Sequence, residues 1–217
     1  MNLTIIAEGD CEEQFVKRIL RPHLRQFGVF AKAIKVPTSK QQSGGVTSFV
    51  RVEKSIRLEL HHGYVSTMFD LFGLHKSFPG FDSQPQQLES RLQHLENALK
   101  DFIADWRFIP YIQAYEFEAL LFSAPSILDQ EVCKALKNQS SRLSELEKIV
   151  SQFETPEHIN GGLQTAPSKR LLVLYHQYQK VLHGLDIAEQ ITLAVMRQKC
   201  LHFDAWVRQL EALGSAS

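Results

Sequence analysis

The stretch Leu3-Thr-Ile-Ile-Ala7 constrains the fold more than any other part of the chain. It is a short apolar run with β-branched residues, the pattern of a buried strand. It stops at Glu8-Gly9-Asp10, and a helical pattern starts at once. A strand that turns directly into a helix opens an α/β unit, and in open α/β sheets ligands bind at the carboxyl ends of the strands. Glu8 occupies such an end. A carboxylate there points to a metal or to proton transfer, whereas a glycine-rich loop would point to a phosphate cradle. Capping is the competing reading for its neighbours: Asp10 is a good N-cap, and Glu13 completes a capping box. That accounts for Asp10 and Glu13. It leaves Glu8 and Glu12 with a functional reading.

Periodicity extends the α/β pattern. Cys11 to Phe27 reads as an amphipathic helix with Phe15, Ile19, Leu20 and Leu24 on one face, and Pro22 predicts a kink or break near Arg21. Val29 to Val36 reads as a second strand. The polar, glycine-rich segment from Pro37 to Gly45 reads as a linker, with Lys40 as a phosphate contact in the alternative. Val46 to His61 is helical, Tyr64 to Phe69 is a third strand ending at Asp70, and Gln86 to Trp106 is helical. The loop from Leu71 to Gln84 is long enough to imply a function or an internal brace. Phe108 to Ala114 is a fourth strand, followed directly by Glu116 and Glu118.

After Pro125 the pattern is helical throughout, over Leu128 to Gln152, Ser168 to His183, Ile187 to Lys199 and Phe203 to Leu213. Strands alternating with helices predict an α/β core over residues 1–124, a four-stranded parallel sheet flanked by helices. An all-helical C-terminal portion over 125–213 packs on it.

Composition removes several classes of function. Lys and Arg together number 24, as do Asp and Glu, so no global field draws the chain to nucleic acid or to acidic membranes. A local basic patch remains open. No apolar run reaches membrane-spanning length and no signal core follows the N-terminus, so a cytoplasmic location with no membrane partner is expected. Cys11, Cys133 and Cys200 are too scattered for a disulfide framework or a zinc knuckle.

Three carboxylates share a position. Glu8, Asp70 and Glu116 each follow a predicted strand, so in a parallel sheet all converge on one edge. Crowded carboxylates raise one another's pKa unless a cation sits among them. A hard divalent cation, Mg²⁺ or Mn²⁺, takes such ligands together with water and substrate phosphate. Turn or cap roles are the plain alternative for each residue alone. A second constellation is Ser168-Lys169-Arg170 at a predicted helix start, which reads either as a capped surface helix or as a substrate-phosphate site.

These residues resemble a known family. Glu8-Gly9-x-x-Glu12 after a first strand, with Asp70 ending a later one, looks like the Toprim core of topoisomerases, DnaG-type primases and OLD-family nucleases. More closely, the chain is similar to an uncharacterised bacterial family with a Toprim-like core, often encoded beside AAA-type or ABC-type ATPases. The phrases that carry this are Thr67-Met-Phe-Asp70 with Phe78-Pro-Gly80, Glu116-Phe-Glu118-Ala-Leu-Leu-Phe122, Ala166-Pro-Ser-Lys-Arg170, and Cys200-Leu-His-Phe203 with Trp206. The resemblance implies metal-dependent phosphodiester hydrolysis, a nuclease acting on DNA with an ATPase partner in bacterial defence or DNA processing. Glu8, Asp70 and Glu116 would be catalytic, with Glu118 and Glu12 as further metal ligands. A homo-oligomer is compatible with it. The chain departs from the Toprim pattern at Phe72, where the usual Asp-x-Asp pair has its second Asp. A missing ligand would then come from Glu116, Glu118 or Glu12. The alternative function is a non-catalytic module that binds a metal or nucleotide, or docks a partner.

Overall fold

A computed structural model of the chain describes residues 1–36, 48–160, 162 and 164–215. The Pro37–Gly45 linker with Lys40 lies outside the described residues. Two compact units are formed, one by Met1–Gln113 with Arg208–Ser217 and the other by Ala114–Val207.

The first unit is built on a parallel sheet. Strand β1 (Asn2–Ala7) lies between β2 (Phe30–Lys35) and β3 (Tyr64–Asp70). Two short strands, β4 (Phe108–Ile109) and β5 (Ile112–Gln113), both pair with β3, giving the order β2-β1-β3-β4 with β5 beside β3. Leu3, Ile5, Ile6 and Ala7 are all buried, because helices cover both faces of a parallel sheet. Three helical pieces, α1 (Asp10–Phe15), a π-helical turn (Val16–Leu20) and α2 (Arg21–Arg25), join β1 to β2. Helix α3 (Phe49–Leu60) leads into β3, and α4 (Leu88–Ile103) leads into β4. The chain reverses its direction across the sheet after β2. Right-handed crossovers then put α1–α2 on one face and α3–α4 on the other.

Three sequence expectations are corrected in this unit. The first helix does not break at Pro22. It widens to π geometry over Val16–Leu20, which relieves the crowding of the proline ring against the preceding turn. The fourth strand is not continuous, because Pro110 has no N–H to give the ladder and divides it into β4 and β5. The gap is filled by the buried Thr67 hydroxyl, which donates to the Tyr111 carbonyl and accepts the Tyr111 N–H, both at 2.9 Å. The helix cap at Asp10 also moves. The N-cap is Gly9, and Glu12 returns its Oε2 to the Gly9 N–H at 3.0 Å. Asp10 pairs instead with Lys35, and Glu13 with Lys17 one turn along.

The 71–84 loop is a brace. Phe78 is buried with its ring 5.2 Å from Phe49 and 5.9 Å from Phe69. Ser77 Oγ accepts the Phe49 N–H at the start of α3. Gly80, at φ +79, brings the loop so close to α4 that a Cβ would meet Ala98 at 2.9 Å.

The second unit is helical around a buried 3₁₀ segment, Phe117–Ser123, every residue of which is shielded from solvent. Around it lie α5 (Pro125–Ala135), α6 (Leu143–Val150), α7 (Pro167–Leu174), a π-helical turn (Lys180–Gly184), α8 (Leu185–Ile191) and α9 (Leu193–Lys199). Helix α10 (Leu201–Ala212) starts in this unit and ends in the first. The helical regions read from periodicity are thus correct in type and too long. Leu128–Gln152 divides between α5 and α6, where Asn138 takes φ 65, and 187–199 divides at Thr192, with φ 73. Asp129 holds the α5–α6 connection by accepting from Ser141 Oγ, the Arg142 N–H and Tyr175 Oη, each at 2.6 Å. Among the described residues, no helix is long and apolar enough to cross a membrane.

Candidate functional site

The strand order decides where a ligand would sit. Connections leave β1 toward β2 on one side and return to β3 on the other, so the carboxyl ends of β1 and β3 flank the topological switch point. Glu8 follows β1 and Asp70 ends β3. The Glu8 N–H donates to the Met68 carbonyl at 3.2 Å, extending the β1–β3 ladder by one residue. Its side chain then crosses the same gap, and Oε2 accepts the Asp70 N–H at 2.9 Å. The Glu8 carboxylate and the Asp70 backbone are therefore brought together at the crevice of the fold.

Several features hold Glu8 there. A Cβ on Gly73 would lie 2.2 Å from Glu8 Oε1, so only glycine leaves room for this carboxylate. Val52, Phe69, Leu74 and Phe78 line a small apolar pocket against it. Asp70 is buried, and Phe72 lies in the 3₁₀ turn Leu71–Gly73 that Asp70 begins. Glu12 is buried nearby in sequence, with Oε2 committed to the Gly9 N–H.

Glu116 and Glu118 belong to the other unit. Glu116 does not directly follow a strand. β5 ends at Gln113, and Tyr115 takes φ 57 before the 3₁₀ segment begins. Its Oε2 accepts the Ser168 N–H at 2.9 Å. Ser168 is thus not the cap of its helix; Ala166 is the N-cap residue, Pro167 follows, and the anion at this N-terminus is the Glu116 carboxylate. Arg170 donates Nε to the Thr165 carbonyl at 2.8 Å and lies over the Phe153 ring, 5.4 Å from its centre. Burial lowers its pKa. Lys169 is exposed.

Glu118 is fully buried, and Lys180 Nζ stands 3.3 Å from its Oε2, a charge contact without hydrogen-bond alignment. Burial pushes its pKa up and the Glu116 charge adds to this, while Lys180 opposes both. Burial thus shifts this carboxyl toward its protonated form, and the neighbouring cation shifts it back. Lys180 carries no sequence signal, since the chain between residues 118 and 180 offers no spacing that links them. Gly73 is equally silent, because its role is the space it leaves for a side chain from β1.

The chain belongs to the DUF4276 family. The family model, described as a domain of unknown function, matches residues 7–211, and so takes in both units. No curated protein and no solved structure matches this DUF4276 chain. The acidic residues at the switch point are Glu8 and Asp70, and among the described residues no group of three or more His, Cys, Asp or Glu side chains is arranged to hold a metal ion. Two carboxylates fit Mg²⁺, which keeps several waters and takes one or two protein carboxylates alongside substrate phosphate.

Proposed function

We propose that the chain is a Toprim-like enzyme that hydrolyses phosphodiester bonds in DNA with Mg²⁺ or Mn²⁺, working with an AAA- or ABC-type ATPase. The observation that carries this reading is the meeting of Glu8 and Asp70 at the β1/β3 switch point. When bound, the cation would polarise a phosphoryl oxygen and acidify a water. Glu8 and Asp70 would hold it through hard oxygen donors. The Asp70 N–H orients the Glu8 carboxylate, and Gly73 keeps the space it occupies open. The ATPase partner and the DNA substrate rest on the family resemblance in the sequence.

Cleavage of plasmid and single-stranded DNA in Mn²⁺, by wild type and by Glu8→Gln and Asp70→Asn, tests the reading. The expected result is metal-dependent nicking that both variants lose. Absence of cleavage by wild type, with the ATPase supplied, would overturn it.

One observation favours a second reading, a non-catalytic module. Glu116 and Glu12 both serve backbone N–H groups, and Phe72 stands where a further acidic ligand would be. Binding of Mn²⁺ without turnover would select it.

A further inference from the structure

The opposite edge of the sheet carries a cavity that the carboxylates do not explain. It has a volume of about 610 Å³, within the range of small-molecule sites. Its floor is the first residues of β1 and β2, and its charged walls are Arg21 and Arg25 of α2, Lys32 of β2, and His62 after α3. No acidic side chain lines it. Glu59 lies behind it, accepting from the Thr4 hydroxyl at 2.9 Å and pairing with Lys32 at 2.7 Å, which lowers the Glu59 pKa against the effect of its burial. One cation of the wall is thus partly neutralised. Arg21 and Arg25 sit one helical turn apart, both exposed, and make no ion pair among the described residues. Phe30, on the edge strand, also lines the cavity and is 59% exposed.

A large aromatic ring left in water beside two arginines is poorly placed for core packing and well placed for a flat, anionic ligand. Arginine forks grip phosphate and an exposed ring stacks on a base, the two contacts that bind single-stranded nucleic acid. We propose that this cavity binds a nucleotide unit, its phosphate on Arg21 and Arg25 and its base on Phe30. Leu3 and Glu8 are five residues apart on one strand, about 16 Å, so the cavity is a separate site from the switch point. The inference does not depend on hydrolysis at that site.

The test is fluorescence anisotropy of the full chain in EDTA, with a labelled oligothymidylate of about 12 nucleotides and with unlabelled dTMP as competitor. Arg21→Glu with Arg25→Glu should weaken oligonucleotide binding more than tenfold and reduce the salt slope by about 1.4. Phe30→Ala should weaken it about tenfold at unchanged salt slope. The same charge reversal at Arg51 and Lys54, exposed on α3 and outside the cavity, should leave binding within about twofold. Circular dichroism checks that each variant is folded. Displacement by dTMP would identify the ligand as a free nucleotide, and resistance to dTMP would identify it as a strand. No binding by folded wild type would overturn the proposal. So would equal losses in the cavity and α3 variants, or indifference of binding to Phe30→Ala.

Discussion

The Glu8 carboxylate accepts the backbone N–H of Asp70 at 2.9 Å, across 62 residues of sequence. This bond ties together the two strand ends at which an open α/β sheet binds ligands. It orients one acidic group and fixes the backbone that carries the other. The same carboxylate sits where any side chain on residue 73 would be.

Gly73 is therefore the most sensitive position of the site. Gly73→Ala places a Cβ 2.2 Å from Glu8 Oε1 and should cost about 1–3 kcal/mol of stability. The clash is with one side chain, so Glu8→Ala should relieve part of it. Urea unfolding of both single variants and the double variant should give a coupling of about 1 kcal/mol or more. Strict additivity would show that Gly73 is constrained by something other than Glu8.

Thr67 gives a test of the divided fourth strand. Its hydroxyl serves both the N–H and the carbonyl of buried Tyr111, where Pro110 interrupts the ladder. Thr67→Val keeps the shape and leaves both groups unsatisfied, an expected loss of about 2–3 kcal/mol. Thr67→Ser keeps the hydroxyl and should lose less. Chemical denaturation of the two variants makes the comparison, and a Thr67→Val loss no larger than that of Thr67→Ser would show that the hydroxyl is not what holds the gap.

Much of the first unit was legible in the sequence, for a physical reason. Strands buried on both faces are dominated by apolar and β-branched residues, so Leu3–Ala7 and Tyr64–Phe69 announce themselves despite Thr4, Ser66 and Thr67, and the helices between them show their buried stripes. The carboxylates were harder to read. Glu8 and Asp70 were located because strand ends are visible in the pattern. Glu116 accepts an N–H from 52 residues away, and Glu157 serves the N–H groups of His202 and Phe203 at the start of α10 from 45 and 46 residues away. Local caps leave a spacing in the sequence, and remote ones leave none. Ser168 looked like a cap for that reason. Its own N–H is what needed one.

Glu118 makes stability depend on pH. Burial raises its pKa in the folded chain, and the unfolded chain releases this proton at lower pH. Its favourable contribution is complete below the unfolded value and is lost as pH rises through the folded one. Glu118→Gln should therefore match wild type at about pH 4 and exceed it in stability at about pH 8. Thermal unfolding of both proteins across that range is the measurement. A difference that does not change with pH would show that the carboxyl titrates as an ordinary one.

If Glu8 and Asp70 together hold a cation, calorimetric titration with Mn²⁺ reads its binding without any need for turnover. Glu8→Gln retains an oxygen for the Asp70 N–H, and Asp70→Asn retains the side-chain shape, so both variants should fold. Wild type should bind Mn²⁺, and each variant should bind it about tenfold or more weakly. Wild-type heats indistinguishable from those of both folded variants would show that these two residues hold no cation.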